Sequence, residues 1–237
     1  MKQFSTLLAI LFVCLLSSPS WSEGISIDDL VERDGLTYKK FTDVPFTGEV
    51  DEGLRQGNFK NGKHEGLWTY YDKTGQLRAK GSYKNGKEEG PWVEYYENGQ
   101  LLLKRDYKNE KKDGLWVWYY ENGQLNSQTE YKNGGKNGLR VWYHENGQLR
   151  ERGHYKNNKK EGSWVTYNKN GQLFIEANFK EGEQDGLLVQ YYDNGKLWYQ
   201  GHFNKGKQEG PWLWYSYDGT VEKNLTGTYK NGKKISD

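Results

Sequence analysis

The chain has 237 residues, of which 34% are apolar and 28% charged, with a formal net charge of +2. That balance alone leans toward disorder, because little apolar surface is available to offset the entropy of ordering. The aromatic content of 16%, with 10 Trp and 19 Tyr, excludes it: disordered chains are poor in aromatics, and each buried ring removes ~150–250 Å² from water.

The segment 1–22 reads as a secretory signal. Lys2 is its only charge, Leu7 to Leu16 form an apolar run, and Ser17, Ser18 and Pro19 break it. Ser20 and Ser22 then supply small residues at the −3 and −1 positions of a cleavage after Ser22. The run is far short of the ~20 residues of a spanning helix, so no transmembrane segment is expected once the signal is removed. Val13 is too bulky for a lipid-attachment box around Cys14. Export to the periplasm, the cell envelope or the exterior follows as an expectation. Cys14, the only cysteine, would leave with the signal, so no disulfide or Cys-ligated metal is expected in the mature chain. Residues 23–47 read as an N-terminal cap over the first strand edge, since an open edge invites aggregation.

From Gly48 to about 235 the chain is a repeat domain. Gly66, Gly90, Gly114, Gly138, Gly162, Gly186 and Gly210 recur with a 24-residue period, without insertion, and anchor seven units. Nine residues after each anchor comes a second glycine, from Gly75 to Gly219, and five after each comes tyrosine, from Tyr71 to Tyr215. Position +11 holds leucine in six units and Val221 in the last; position +17 holds Tyr or Phe, with Tyr229 closing the last unit two residues late. "VPFTGEV", Val44 to Val50, opens a truncated unit. Such a period is the mark of a stacked repeat.

Each unit reads as a β-hairpin. β-Branched and aromatic residues alternate after the anchor, as in "GPWVEYY". "ENGQ" follows as the hairpin turn, its Asn-Gly expected to take φ > 0 at both residues, and "KNGK" reverses the chain into the next unit. The fold class is therefore all-β, an elongated rod of stacked antiparallel hairpins. Period-two counting assigns the core to Val at +3, Tyr at +5, Leu at +11 and Tyr/Phe at +17. The Trp at +2 (Trp68, Trp92, Trp116, Trp164, Trp212) falls on the opposite face, joined by Tyr70, Trp118, Trp142 and Trp214 at +4.

"GSYKNGKEEGPWVEYYENGQL", Gly81 to Leu101, resembles the MORN repeat, in the variant of bacterial proteins labelled the YwqK-type putative antitoxin family. The likeness runs from Gly48 to about Lys234. It implies a meandering antiparallel sheet and a role in scaffolding, protein binding or contact with lipid headgroups. The signal-like leader departs from cytosolic antitoxins.

Catalytic constellations are not evident. His64, His144, His154 and His202 stand alone, without H-x-x-x-H spacing, and read as exposed. Acidic residues recur one position before the anchor, from Glu65 to Glu209, and read as partners of turn lysines, not as an acid/base pair. No enzyme, cofactor or metal is expected, and export with near-zero net charge argues against nucleic acid. Two features remain. The tryptophan rows are either a second packing layer or a binding stripe, with Trp116, Trp118, Trp142 and Arg140 of units 3 and 4 as the candidate patch. Lys84, Lys87, Lys108, Lys111, Lys132, Lys156 and Lys159 form a basic turn edge, either solvated or attractive to anionic lipid or polysaccharide. The functional expectation is an exported scaffold that binds a protein partner, immunity-like; an envelope ligand binder and a structural spacer are the alternatives.

Overall fold

The structure is a computed structural model and describes residues 24–237. The apolar leader and the cleavage after Ser22 lie outside these residues. A short 3₁₀ turn, Ile27–Asp29, leads into the hairpin β1 (Leu30–Arg33) and β2 (Leu36–Lys39). The truncated unit follows as β3 (Gly48–Val50) and β4 (Arg55–Lys60). Units 1 and 2 supply β5 (Lys63–Tyr71), β6 (Leu77–Lys84), β7 (Lys87–Tyr95) and β8 (Leu101–Lys108). Unit 3 opens with β9 (Lys111–Lys112) and β10 (Gly114–Tyr119), split at Asp113, and returns on β11 (Leu125–Lys132). Units 4 to 6 run β12 (Gly135–Tyr143), β13 (Leu149–Lys156), β14 (Lys159–Tyr167), β15 (Leu173–Lys180), β16 (Glu183–Tyr191) and β17 (Leu197–Asn204). The last unit is β18 (Lys207–Trp214), β19 (Gly227–Lys230) and β20 (Lys233–Ser236).

β3 to β20 form one 18-stranded sheet in which each strand pairs antiparallel with its sequence neighbour. Dense packing likewise joins only neighbouring strands, with β8 also reaching β10 around the short β9. The stack is all-β and quasi-one-dimensional, as the period requires.

The two turns exchange the conformations expected of them. In "KNGK" both Asn85 (φ 53°) and Gly86 (φ 82°) are left-handed and Lys84 pairs with Lys87, a two-residue type I′ turn. In "ENGQ" Gly99 is left-handed (φ 82°) but Asn98 is not among the positive-φ residues. Gly99 N–H donates to the Tyr96 carbonyl (3.0 Å) and Tyr96 N–H to that of Gln100 (2.8 Å), closing a longer loop. Asn98 serves by its side chain, which accepts from the Gln100 N–H at 2.9 Å.

The core also differs from the period-two assignment. The tryptophans at +2 are its most deeply buried row: Trp68 is 0% and Trp212 1% exposed, whereas the tyrosines at +5 and leucines at +11 are half-buried. The Tyr/Phe at +17 sits on the tryptophan face, edge-on to the next indole, as in Tyr83–Trp92 (5.1 Å, 89°) and Phe203–Trp212 (5.1 Å, 90°). Val117, Val141 and Val189 at +3 are buried on the other face.

A glycine explains how a single-layer sheet buries an indole. Gly57, Gly81, Gly153 and Gly201 stand directly opposite Trp68, Trp92, Trp164 and Trp212, and a methyl group at any of them would overlap the ring. Each ring thus lies flat on neighbouring backbone. Where tryptophan is replaced, so is the glycine: Arg140 faces Thr129 and Leu188 faces Ala177. Trp116 is the exception. The pairs Val117–Lys104 and Trp118–Leu103 put it beside Arg105, and this is the junction at which the strand breaks at Asp113.

The N-terminal end of the stack is covered by residues 24–47. Leu30 is buried with Val50, Phe59 and Trp68, and Ile25, Ile27 and Phe46 pack against them. Gly62 N–H donates to the Phe46 carbonyl (2.7 Å) and Thr37 N–H to that of Gly62 (2.9 Å), fixing the cap to the first turn.

Candidate functional site

The tryptophan face is built by a bulge. Each anchor glycine is left-handed, as Gly90 is (φ 73°), and the β6–β7 register skips Ser82. The Ser82 carbonyl then accepts the Trp92 indole N–H at 3.1 Å. The same bond joins Trp68 to Asn58, Trp116 to Asp106, Trp164 to His154 and Trp212 to His202, all at 3.1–3.2 Å. Tryptophan at +2 therefore fills the glycine hollow and satisfies the carbonyl exposed by the bulge. Phenylalanine could do only the first.

The four candidate residues share one face but not one role. Trp116 is 5% exposed, with its N–H bonded internally; it belongs to the core and leaves the candidate patch. Arg140 fills a tryptophan position and is tied down, its Nε donating to Glu151 Oε1 (3.2 Å) and its Nη1 to Thr129 Oγ1 (3.2 Å). It is a partly buried internal tie and not a free anchor. Trp118 and Trp142 remain. Both pair with Ser127 of β11, one from each side, so they stand two strands apart, ~10 Å by strand spacing. Trp118 is 40% exposed. The Trp142 ring lies between Arg150 (3.8 Å) and Arg140 (5.2 Å), and its buried indole N–H has no partner.

Three lysines on the same face were missed by the sequence reading. Lys112, Lys136 and Lys160 occupy the position two before the anchor in units 3, 4 and 5. Each is paired across strands with an aromatic residue, Tyr107, Tyr131 and Tyr155 respectively. Lys112 Nζ stands 4.1 Å from the Trp116 ring centre, Lys160 Nζ 4.0 Å from that of Trp164, and Lys136 Nζ 4.9 Å from that of Tyr155. Burial, and then the Arg140 charge, lowers the pKa of Lys136. The signal lay in the repeat itself, because units 1, 2, 6 and 7 hold His64, Glu88, Gln184 and Gln208 at this position.

The acidic residues before the anchors do not pair with turn lysines. Glu65, Glu89 and Glu161 accept the backbone N–H of Asn85, Asn109 and Glu181 (2.8–2.9 Å), tying each strand entry to the following turn. Lys87 pairs instead with Glu110 of the next turn (2.6 Å). The histidines also divide. His154 and His202 are exposed, but His64 packs among Phe59, Trp68 and Tyr83, with ring centres 4.1–4.9 Å apart. Burial, and then Arg55, lowers its pKa. His144 Nε2 lies 3.0 Å from the Tyr167 carbonyl, the place where Tyr96, Tyr120 and Tyr192 donate a hydroxyl to the next unit (2.8 Å).

Clefts lie along the turns at both edges of the sheet; one of about 670 Å³, at the inter-unit edge, is lined by Lys108, Asp113, Leu115, Glu130 and Tyr131. Among the described residues no group of three or more His, Cys, Asp or Glu could hold a metal ion, and no helix is long and apolar enough to cross a membrane.

A family model described as "MORN repeat variant" matches six segments, residues 65–85, 88–109, 112–133, 136–157, 160–181 and 184–205. No curated protein matches. A solved structure described as "Crystal structure of GtfA/B complex bound to UDP and GlcNAc" is 14% identical with a TM-score of 0.16 over 67% of this chain, which spans 24% of that chain's length. At that TM-score the likeness bears on neither fold nor ligand.

Proposed function

This chain belongs to the MORN repeat variant family, and from that premise we propose that it is an exported, non-enzymatic repeat scaffold that binds a protein partner on the tryptophan face of units 3 and 4. The observation that carries the reading is the contrast within that face. Every tryptophan at +2 is buried with its N–H satisfied, whereas Trp118 is 40% exposed and the Trp142 N–H is unpartnered. Exposed indoles are where protein interfaces concentrate their energy. Export rests on the apolar leader and the Ser20/Ser22 pattern, and N-terminal sequencing of the exported protein should begin at Glu23. An immunity-like role, in which the partner is a toxin, is the finer form of this reading and follows from the resemblance alone. A second reading, an anionic envelope ligand on the turn edge, draws support from lysines paired across the inter-unit turns, Lys84 with Lys87 and Lys156 with Lys159.

The mature chain, immobilised and exposed to envelope extract, should retain a discrete protein. A Trp118→Ala, Trp142→Ala double variant should release it while keeping its strand signal in circular dichroism. Retention that ignores the double substitution, yet is abolished by Lys84→Gln with Lys87→Gln, would move the function to the turn edge.

A further inference from the structure

We propose that units 3 to 5 carry, beside Trp118 and Trp142, a docking track for an acidic polyproline-II segment of the partner, with carboxylates at every third residue. This deepens the protein-binding reading above by naming the chemistry of the partner.

Crossing the sheet from β8 to β15, one face presents Tyr107, Lys112, Tyr131, Lys136, Tyr155, Lys160 and Phe179, one residue per strand with aromatic and lysine alternating. The row follows from the repeat: position +17 is aromatic in units 1 to 6, and the position two before the anchor is lysine only in units 3 to 5. Each aliphatic stem is half-buried, which limits its rotamers and fixes where the ammonium stands. Among the described residues none of the three ammonium groups takes part in an ion pair, whereas Arg105 and Arg140 on the same face are both matched by carboxylates. Three aligned cations that form no ion pair of their own repel one another and lower the cost of bringing an anion between them.

Spacing selects the partner. Lysines two strands apart repeat every ~9.6 Å along the rod. A polyproline-II segment turns once in three residues and rises ~3.1 Å per residue, so side chains three apart point the same way every ~9.3 Å. Over three lysines the mismatch is only ~0.6 Å. An extended β-strand turns alternate residues to opposite sides, so every third residue changes face. An α-helix with carboxylates seven apart repeats every ~10.5 Å and overshoots by ~2 Å across the track. The flanking rings Tyr131, Tyr155 and Phe179 hold the ammonium groups over their faces, with Nζ 5.2, 4.9 and 5.0 Å from the ring centres, and so fix where the partner's carboxylates must reach.

The probe is a labelled ten-residue peptide, proline-rich with glutamate at every third position, titrated with the mature chain by fluorescence anisotropy. Binding should weaken steeply with salt. It should fall about tenfold when the same residues are rearranged with the glutamates contiguous, or when Lys112, Lys136 and Lys160 are all replaced by Gln. Replacing all three by Arg should keep it, which separates lost charge from lost packing. Equal affinity for the rearranged peptide, tighter binding of a helical peptide with glutamates seven apart, or indifference to the Gln substitutions would each overturn the track. So would anionic vesicles that sediment the protein through the same lysines when the peptide does not bind. If the peptide fails while the extract partner is still released by the tryptophan double variant, this inference falls and the protein-binding reading stands. If the peptide binds through the lysines but no extract partner depends on Trp118 and Trp142, the reverse holds.

Discussion

Trp164 and Trp118 lie on the same face of the sheet two units apart, and almost nothing else about them agrees. Trp164 lies on Gly153 of one neighbouring strand and pairs with Ala177 of the other, packs edge-on to Tyr155 (5.0 Å), and donates its N–H to the His154 carbonyl (3.2 Å). Trp118 faces Leu103 and Ser127, both buried, and 40% of it meets solvent. The same side chain is a structural rivet in one place and an exposed surface in the other. What differs is the neighbouring strand: a glycine leaves a hollow as deep as a ring, and a leucine or serine fills it. Burial of an aromatic in a one-layer sheet is thus decided across the strands more than along them.

The sharpest way to break this comparison is to truncate both rings. Trp164→Ala should destabilise the stack by ~3–5 kcal/mol in denaturant unfolding, while Trp118→Ala should stay within ~0.5 kcal/mol, the range of exposed substitutions. Equal losses would mean that the +4 row is also core. The hollow can be tested from its other side. Gly153→Val would drive a branched side chain into the Trp164 ring, at a cost of ~1–3 kcal/mol. A neutral result would show that the indole can move aside.

A smaller effect is expected at the turns. Tyr120 donates its hydroxyl to the Tyr143 carbonyl of the next unit (2.8 Å). Tyr120→Phe should cost ~0.5–1.5 kcal/mol and speed amide exchange around the neighbouring turn. Unit 5 holds Asn168 at this position, so its turn should exchange faster than that of unit 3 in the native protein. Uniform protection along the rod would contradict the turn ladder.

The smallest effect concerns acid. The Asp218 carboxyl is held down to about 2, first by the Thr220 backbone N–H and then by the Ser216 hydroxyl. A depressed carboxyl stabilises its turn above the ordinary value of 3.8, and that support is lost as pH falls from there through about 2. Amide resonances of Ser216 to Thr220 should therefore titrate in that window. A midpoint at 3.8 would mean the bonds to Asp218 are not kept in solution.

Much of this molecule was legible in the sequence because repetition averages over local ambiguity. The constant spacing of the anchor glycines, the hairpin in each unit and the positions of the turns all follow from residues that recur in phase, whereas the turn type at each position did not. The candidate patch was only half legible. Trp118 stayed at the surface and Trp142 is half-buried, while Trp116 went to the core and Arg140 was tied to Glu151 and Thr129. Period-two counting sorts residues by face along one strand, and it took the row with valine in units 2 to 6 for the core side. It says nothing about the depth available on either face, because depth belongs to the neighbouring strand.

By itself the sequence determined the period, the strand and turn alternation and the all-β class, since those depend on contacts within a single repeat. Only the tertiary structure decided which face holds the core, because that depends on Gly81 lying under Trp92 and Gly153 under Trp164, pairs joined by register across neighbouring strands. It also decided that Lys112, Lys136 and Lys160 form a row. The sequence places them one full repeat apart, and only the pairing of strands brings them side by side on one face.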